Sequence, residues 1–129
     1  EQAEPLYKES LTIWKKSLGQ NHSYIALSLK NLAELYQLQG IYEQAEPLYK
    51  ESLAIWKKSL GKSYQHHPKV ADALNKLARL YQAQDKYDNA APLYQEALII
   101  TENLLGKEHD DTKKLKENYE QFLTKKTIQ

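Results

Sequence analysis

The strongest constraint on how this chain folds is a segment of nineteen residues that it contains twice. Residues 1–19, EQAEPLYKESLTIWKKSLG, recur at 43–61 with one difference, Thr12 against Ala54. A looser third copy occupies residues 88–106. Repetition with a period of 42 and then 45 residues predicts a stack of structural units, each packed mainly on its neighbours.

The longer second period has a local cause. Its three additional residues lie between Gly61 and Ala71. Because loop closure costs little more when a loop grows, insertions collect in connections. We therefore expect residues 62–67 to form a lengthened loop and no new element. Tyr64 lies there without an equivalent in the other units, so we expect it to be exposed, either as a contact residue or as a solvated loop tyrosine.

Each unit is predicted to contain two helices. Only four Gly, four Pro and one Phe are present, and apolar residues recur three and four positions apart. The predicted fold class is all-α, with six antiparallel helices at residues 2–18, 24–39, 43–60, 69–84, 88–105 and 111–126.

The apolar spacing also predicts the core. In the first full unit the buried stripes are Leu29, Leu32, Ala33, Tyr36, Ala45, Leu48, Tyr49, Ser52, Leu53, Trp56 and Leu60. In the second they are Leu74, Leu77, Ala78, Tyr81, Ala90, Leu93, Tyr94, Ala97, Leu98 and Leu105. Asp85 replaces Gly40 at the turn between the helices, and it is strained there if the backbone is left-handed. Pro47 and Pro92 lie early in the second helices, where we expect a slight bend and no break.

The repeat pattern has a known counterpart. Leu-Ala-x-x-Tyr at 32–36 is followed nine residues later by Ala-x-x-x-Tyr at 45–49, and the same pair recurs at 77–81 and 90–94. This pattern resembles the tetratricopeptide repeat (TPR). The long period and the closing Leu-Gly-x-x-His resemble the repeats of kinesin light chains, and similar repeats occur in many bacterial proteins. The resemblance implies an alpha-alpha superhelix, a right-handed TPR solenoid whose first helices line a concave groove that binds proteins.

The two ends are predicted to be incomplete repeats. We divide the chain into an orphan second helix at 1–19, repeats at 20–61 and 62–106, and a terminal first helix at 107–129. In this last helix the polar Lys113, Lys116 and Glu120 replace core residues, which is typical of a solvating end. Its docking stripe is Leu115, Tyr119, Phe122 and Leu123. The chain starts inside a repeat without Met, so we interpret it as a fragment, and the unpaired first helix makes a homodimer possible.

Several functions are disfavoured by composition. The formal net charge is +1, which gives no reason to expect nucleic acid or a membrane as partner. Absence of Cys excludes disulfides and Cys-ligated zinc. No nucleophile elbow or phosphate-binding Gly loop is present. We therefore predict that the chain is not an enzyme, holds no cofactor or metal, and is cytoplasmic.

The histidines are predicted to be structural. His22, His67 and His109 occupy one repeat position just before a helix start, and Ser23, Pro68 and Asp110, which follow them, suit a cap or a first turn. His66 and His67 are adjacent, but no further ligand cluster completes a metal site around them.

The candidate ligand surface is the polar face of the first helices. The resemblance to TPR proteins implies a peptide groove formed by Lys30, Asn31, Glu34, Gln37, Asp72, Asn75, Lys76, Arg79, Gln82, Lys114, Asn118 and Gln121. Leu27, Leu38, Ala83, Glu117, Thr124 and Lys125 lie on the same face. Asn and Gln can hydrogen-bond a peptide backbone, and Arg79 can hold a carboxylate through two bonds. The alternative is that this face is simply solvated.

These observations predict a non-catalytic protein–protein interaction scaffold. Since cations outnumber carboxylates on the groove face, we expect a peptide partner with acidic character. Two alternatives stay open. One is a structural spacer or self-assembly unit, which the near-identity of the copies favours, and the other is a regulatory sensor arm of a larger multidomain protein.

Overall fold

The computed structural model describes residues 23–128, and this part of the chain is helical without strands. Five α-helices follow in order: α1 Ser23–Leu38, α2 Tyr42–Leu60, α3 Pro68–Ala83, α4 Tyr87–Leu105 and α5 Asp110–Ile128. Each begins and ends within two residues of its prediction, and the all-α class is confirmed. The first of the six predicted helices, residues 2–18, lies outside the described residues. The homodimer interface predicted on that helix lies outside them as well.

The chain divides into two compact units, residues 1–64 and 65–129. The first unit contains α1 and α2, and the second contains α3, α4 and α5. Within each unit the two helices joined by a short turn pack on each other, and α5 packs on α4. The predicted division into repeats at 20–61, 62–106 and 107–129 stays a prediction.

The core of the first unit follows the predicted stripe. Tyr36, Ala45 and Tyr49 are buried, together with Leu29, Leu32, Ala33, Ser52, Leu53 and Trp56. The Ser52 hydroxyl donates a 2.7 Å hydrogen bond to the backbone carbonyl of Ala26, which joins α2 to α1 inside the core. This bond satisfies a hydroxyl that burial would otherwise penalise.

The core of the second unit repeats this arrangement except at three of the predicted leucines. Leu74, Leu77, Ala78, Tyr81, Ala90, Tyr94 and Ala97 are buried as predicted. Leu105 was predicted to be buried but is 44% exposed, because it lies in the last turn of α4, beyond the residues that α4 buries. Ile100, five residues earlier on α4, is buried and was not among the predicted core residues. In both units the leucines at the margin of the stripe are only half-buried: Leu48, Leu60, Leu93 and Leu98.

The turn between α1 and α2 is closed by a pair of backbone hydrogen bonds. The N–H of Ile41 donates to the carbonyl of Tyr36, and that of Gly40 donates to Gln37. This is a Schellman arrangement, which requires a left-handed residue after the helix. Gly40 supplies it with φ +77°.

The turn between α3 and α4 has the same two bonds, at 2.9 and 3.0 Å, but Asp85 occupies the left-handed position with φ +60°. The sequence predicted that Asp85 is strained if its backbone is left-handed, and the backbone is left-handed here. A side chain in this conformation costs energy that glycine avoids.

Prolines and the long connection show how the helices continue and end. α2 and α4 run through Pro47 and Pro92 without interruption, as predicted.

The connection predicted to be a loop is instead a 3₁₀ helix, Gly61–His66. The correction has a physical reason, since i→i+3 hydrogen bonds satisfy the backbone of a short connector. Tyr64 lies in this helix and is half-buried, which corrects the expectation of an exposed side chain.

Helix α5 packs against the rest of the second unit through aromatic rings. Phe122 is 2% exposed, and its ring centroid lies 4.8 Å from that of Tyr94 and 5.6 Å from that of Tyr87. Tyr119 lies 6.2 Å from Phe122. An ion pair of 3.1 Å between Lys126 and Asp88 adds a charged contact to α4. The residues predicted to form the solvating face are exposed: Lys113, Lys116 and Glu120.

Candidate functional site

Two of the histidines cap helices. Nδ1 of His67 accepts a hydrogen bond from the backbone N–H of Lys69 at 3.2 Å, at the start of α3. Nδ1 of His109 accepts one from Asp111 at 3.1 Å, at the start of α5. The capping atom therefore belongs to the histidine itself rather than to the following residue. Within residues 23–128 no group of three metal-ligating side chains comes together, and His22 lies outside that range.

The second unit contains a recess of about 420 Å³ bounded by α3, the end of α4 and α5. Five predicted groove residues line it: Asp72, Asn75, Arg79, Lys114 and Asn118. The remaining lining residues are Pro68, Ala71, Thr101, Leu104, Leu105, Asp111 and Leu115. Volumes of this size are typical of ligand sites. The structure therefore brings the predicted residues of α3 and α5 into one concave surface.

A second recess, of about 310 Å³, shares Arg79 and Asn118 with the first. It also contains the predicted Gln82 and Gln121, with Lys125, Tyr94 and Phe122. Arg79 and Lys125 are its only charged lining residues among the described part of the chain, so this recess is cationic. The two recesses together hold seven of the predicted groove residues.

Ion pairs within helices reduce the predicted excess of positive charge. Lys76 lies 3.6 Å from Asp72, and Lys30 lies 3.5 Å from Glu34, each one turn along its own helix. In residues 23–128, Arg79 and Lys114 have no carboxylate within ion-pair distance. The first recess has Asp72 and Asp111 against Arg79 and Lys114, so its charges balance. Of the two recesses, only the second carries an excess of positive charge.

Two of the predicted glutamines already have a structural role. The hydroxyl of Tyr94 donates to Oε1 of Gln82 at 2.7 Å, and that of Tyr49 donates to Oε1 of Gln37 at the same distance. The sequence contained the signal, because both pairs occur at the same repeat positions. The amide N–H groups of these glutamines are donors that a ligand could use. Burial raises the pKa of the Tyr94 hydroxyl, and the Arg79 charge partly lowers it.

Asn75 presents an incomplete hydrogen-bonding group in the first recess. Its Oδ1 is buried and has no hydrogen-bond partner within the described residues. A buried polar atom without a partner costs free energy.

The other predicted groove residues lie outside the two recesses. Lys30, Asn31, Glu34 and Gln37 lie on α1 in the first unit and are all half-exposed. Lys76 lies on α3 and is half-exposed. Sequence reasoning missed part of the site, namely the apolar side of the first recess. The predicted groove follows the first helices, whereas most of this side comes from the end of α4: Thr101, Leu104, Leu105 and, from α5, Leu115.

Two family models described as tetratricopeptide repeat match residues 1–58 and 70–111 of the chain. The chain belongs to the tetratricopeptide repeat family. Its repeats are of the kinesin-light-chain type, which confirms the resemblance found in the sequence. Such repeats and this fold are characteristic of protein-interaction scaffolds.

Solved structures with this fold include BtubC (BKLC) from P. vanneervenii, with 25% identity, a TM-score of 0.83 and 95% of this chain covered. A Podosopora anserina putative kinesin light chain with nearly identical TPR-like repeats has 26% identity, a TM-score of 0.82 and 94% coverage. A single-substitution variant of that protein has 25% identity, a TM-score of 0.81 and 94% coverage. This chain spans 48% of the first protein and 56% of the other two. A comparison with curated proteins finds no match.

No helix within residues 23–128 is both long enough and apolar enough to cross a membrane.

Proposed function

We propose that the chain is a non-catalytic scaffold that binds a peptide segment of a partner protein along α3 and α5. The observation that supports this most directly is the convergence of Asn75, Arg79 and Asn118 on one recess. These residues come from two separate helices, and the resemblance to TPR proteins implies that they are groove residues. Their amides and guanidinium suit the backbone and carboxylates of an extended peptide.

The two recesses would have different tasks. In the first, the amide of Asn75 hydrogen-bonds the peptide backbone, and the leucines contact apolar groups. In the second, Arg79 and Lys125 attract a carboxylate, while Gln82 and Gln121 donate from their amides. The partner is therefore proposed to be a peptide with an acidic group at the second recess.

A structural spacer or self-assembly unit is the second candidate. It is favoured by the near-identity of residues 1–19 and 43–61, which extends to solvent-facing positions such as Lys57 and Lys58. Sedimentation at increasing protein concentration separates the two candidates, because self-assembly raises the mass and a peptide receptor stays at constant mass.

The proposed function is tested by selecting peptides from a displayed library on the parent chain and on Asn75→Ala/Arg79→Ala. The matched control is Gln95→Ala/Lys58→Ala, which removes one amide and one cation from exposed positions outside both recesses. We expect a consensus sequence with the parent and the control, and its loss with the recess variant. A consensus that persists in the recess variant would place binding elsewhere, and no consensus with any form would favour the spacer.

A further inference from the structure

The second helices of the two units end in segments of different charge. From Ser52 to Ala71 the chain contains four lysines and no Asp or Glu. The corresponding segment of the first copy, residues 10–26, contains two lysines and likewise no acidic residue. The corresponding segment of the third copy, residues 97–113, contains two lysines but four acidic residues. An excess of positive charge therefore follows α2 and does not follow α4.

Three of these lysines are exposed at the end of α2 in the first unit. Lys57 and Lys58 lie in the last turn of α2, and Lys62 lies in the 3₁₀ helix that follows. We call these three residues the α2 cationic end. In residues 23–128 none of them has a carboxylate within ion-pair distance. The nearest acidic residue along α2 is Glu51, six residues before Lys57, whereas helical side chains pair at a spacing of three or four.

Stabilisation of the helix does not account for all three charges. Lysines in a last turn interact favourably with the helix dipole. However, α4 has the same length as α2 and ends at the equivalent leucine without a basic residue in its last turn. Lys62 lies beyond the end of α2. Since this kind of helix end forms without lysine, the three exposed cations are available to a ligand.

We infer that the α2 cationic end binds an acidic stretch of a partner protein, at a site separate from the two recesses. The rise per residue places Lys57 and Lys62 about 8 Å apart along the chain, a distance that an extended peptide covers in about three residues. Lysine suits a run of carboxylates, because each ammonium is a compact charge on a flexible stem and requires no fixed angle of approach.

A nucleic acid fits this surface less well. Proteins that bind single strands stack the bases on aromatic rings. Trp56, next to the lysines, is 5% exposed, and Tyr64 is half-buried. A duplex is bound mainly by neutralising its phosphates, and three cations neutralise few of them. The acidic protein segment is therefore the ligand that this surface favours.

The test uses octaglutamate with blocked termini as the probe, because a peptide selected on the recesses would be held there. Backbone amide resonances of residues 57–63 are followed by NMR at about 20 mM salt, where screening is weak. We expect a dissociation constant on the order of 1 mM for the parent. Lys57→Gln/Lys58→Gln/Lys62→Gln should weaken binding roughly tenfold, since exposed ion pairs contribute little singly but add together. Lys57→Arg/Lys58→Arg/Lys62→Arg keeps the charge and should bind within about twofold of the parent.

The matched control is Lys107→Gln/Lys113→Gln/Lys116→Gln, which removes three exposed lysines near the connection between α4 and α5. It has the same total charge as the glutamine variant of α2 and should bind as the parent does. Equal loss in these two variants, or no shift at residues 57–63 of the parent, would overturn the inference. Duplex DNA that binds residues 57–63 as tightly as octaglutamate would also overturn it, in favour of a nucleic acid.

The inference stands apart from the proposed function. Asn75→Ala/Arg79→Ala should keep the octaglutamate shifts at residues 57–63, although it loses the selected peptide. If it loses these shifts, the probe is held at the recesses, and the inference fails while the peptide scaffold remains. A parent that selects no peptide but shows these shifts supports the inference and removes only the proposed function.

Discussion

Asp85 is held in a backbone conformation that its side chain disfavours. Its φ is +60°, and the equivalent Gly40 has +77° with no atom near an added Cβ. The cost is therefore conformational rather than steric crowding from neighbours. Asp85→Gly should raise the free energy of unfolding by about 0.5–1 kcal/mol, measured by urea denaturation.

The reverse change supplies the control. Gly40→Asp introduces the same strain into the first unit and should lower stability by about 1 kcal/mol. If both substitutions leave stability unchanged, the left-handed positions are not strained. If Asp85→Gly destabilises, the weak 3.4 Å contact between the Tyr87 hydroxyl and Asp85 contributes more than its geometry indicates.

The Tyr–Gln hydrogen bonds can be compared between the two units. Tyr94→Phe removes the bond to Gln82, and Tyr49→Phe removes its counterpart to Gln37. Each should lower the free energy of unfolding by about 0.5–1.5 kcal/mol, since the half-exposed glutamine can bond to water instead. Because the pairs lie in separate units, the double variant should show an additive loss within about 0.5 kcal/mol. A larger deviation in urea denaturation would mean that the two bonds are coupled.

The raised pKa of Tyr94 gives the stability a dependence on pH. Burial favours the neutral phenol, and Arg79 offsets this only in part. A tyrosine whose folded-state pKa is raised contributes stability that is fully present below its unfolded pKa of about 10 and is lost as pH rises through the folded-state value. Between about pH 9 and pH 11 the parent should therefore lose more stability than Tyr94→Phe. Parallel curves of unfolding free energy against pH would contradict this.

At the scale of the helix, the sequence was sufficient to predict helices and their buried faces wherever the same pattern occurred twice. The stripes containing Tyr36 and Tyr81 predicted both the helices and their buried faces, since helical spacing and burial are local properties. It was insufficient for Leu105, whose burial depends on where α4 ends relative to its neighbours. The 3₁₀ helix at Gly61–His66 was also missed, because a connector without a repeat equivalent has no second copy to compare.

The ring of Phe122 is central to the attachment of helix α5. Phe122 contacts Tyr87, Tyr94 and Tyr119. Phe122→Ala should cost about 3–5 kcal/mol in the docking of α5, and hydrogen exchange should show faster exchange of α5 amides while α1 and α2 are unchanged. Phe122→Leu is the matched control, since Leu80 holds the equivalent position in α3, and it should cost less than about 1.5 kcal/mol. Equal protection of α5 in the alanine variant would show that other contacts suffice.

The candidate site was predictable in its polar half only. Asn75, Arg79 and Asn118 could be inferred because the family resemblance directed attention to the first helices. The apolar half could not, since Leu104 and Leu105 come from a second helix and Leu115 was predicted as part of a docking stripe. The sequence contained a signal for the apolar half, the replacement of Trp56 by Thr101 between copies. That difference can be interpreted only when the recess beside Thr101 is known.

Considered as a whole molecule, the chain keeps much of its core between repeats and varies the surface, although buried Ser52 and Trp56 become Ala97 and Thr101. Ala33, Tyr36, Ala45 and Tyr49 of the first unit are retained in the second. At one position on the polar face of the first helices, Arg79 of the second unit replaces Glu34 of the first, which reverses the charge. Stability in repeat proteins comes from contacts within repeats and between neighbours, so surface positions are free to diverge. Specificity is therefore expected to reside in exposed positions at which the copies differ.

That charge reversal leads to a prediction about salt. An acidic peptide held at Arg79 and Lys125 should bind more weakly as ionic strength rises from about 0.05 to 0.5 M, because exposed charges are screened over a shorter distance. Arg79→Gln/Lys125→Gln should weaken binding about five- to tenfold at low salt and flatten the salt dependence. Lys57→Gln/Lys58→Gln removes the same charge from exposed positions on α2 and should leave both affinity and slope as in the parent. Titration calorimetry with the selected peptide measures all three proteins. If the two double variants lose affinity equally, only the total charge of the chain matters and the second recess has no particular role in attracting the carboxylate.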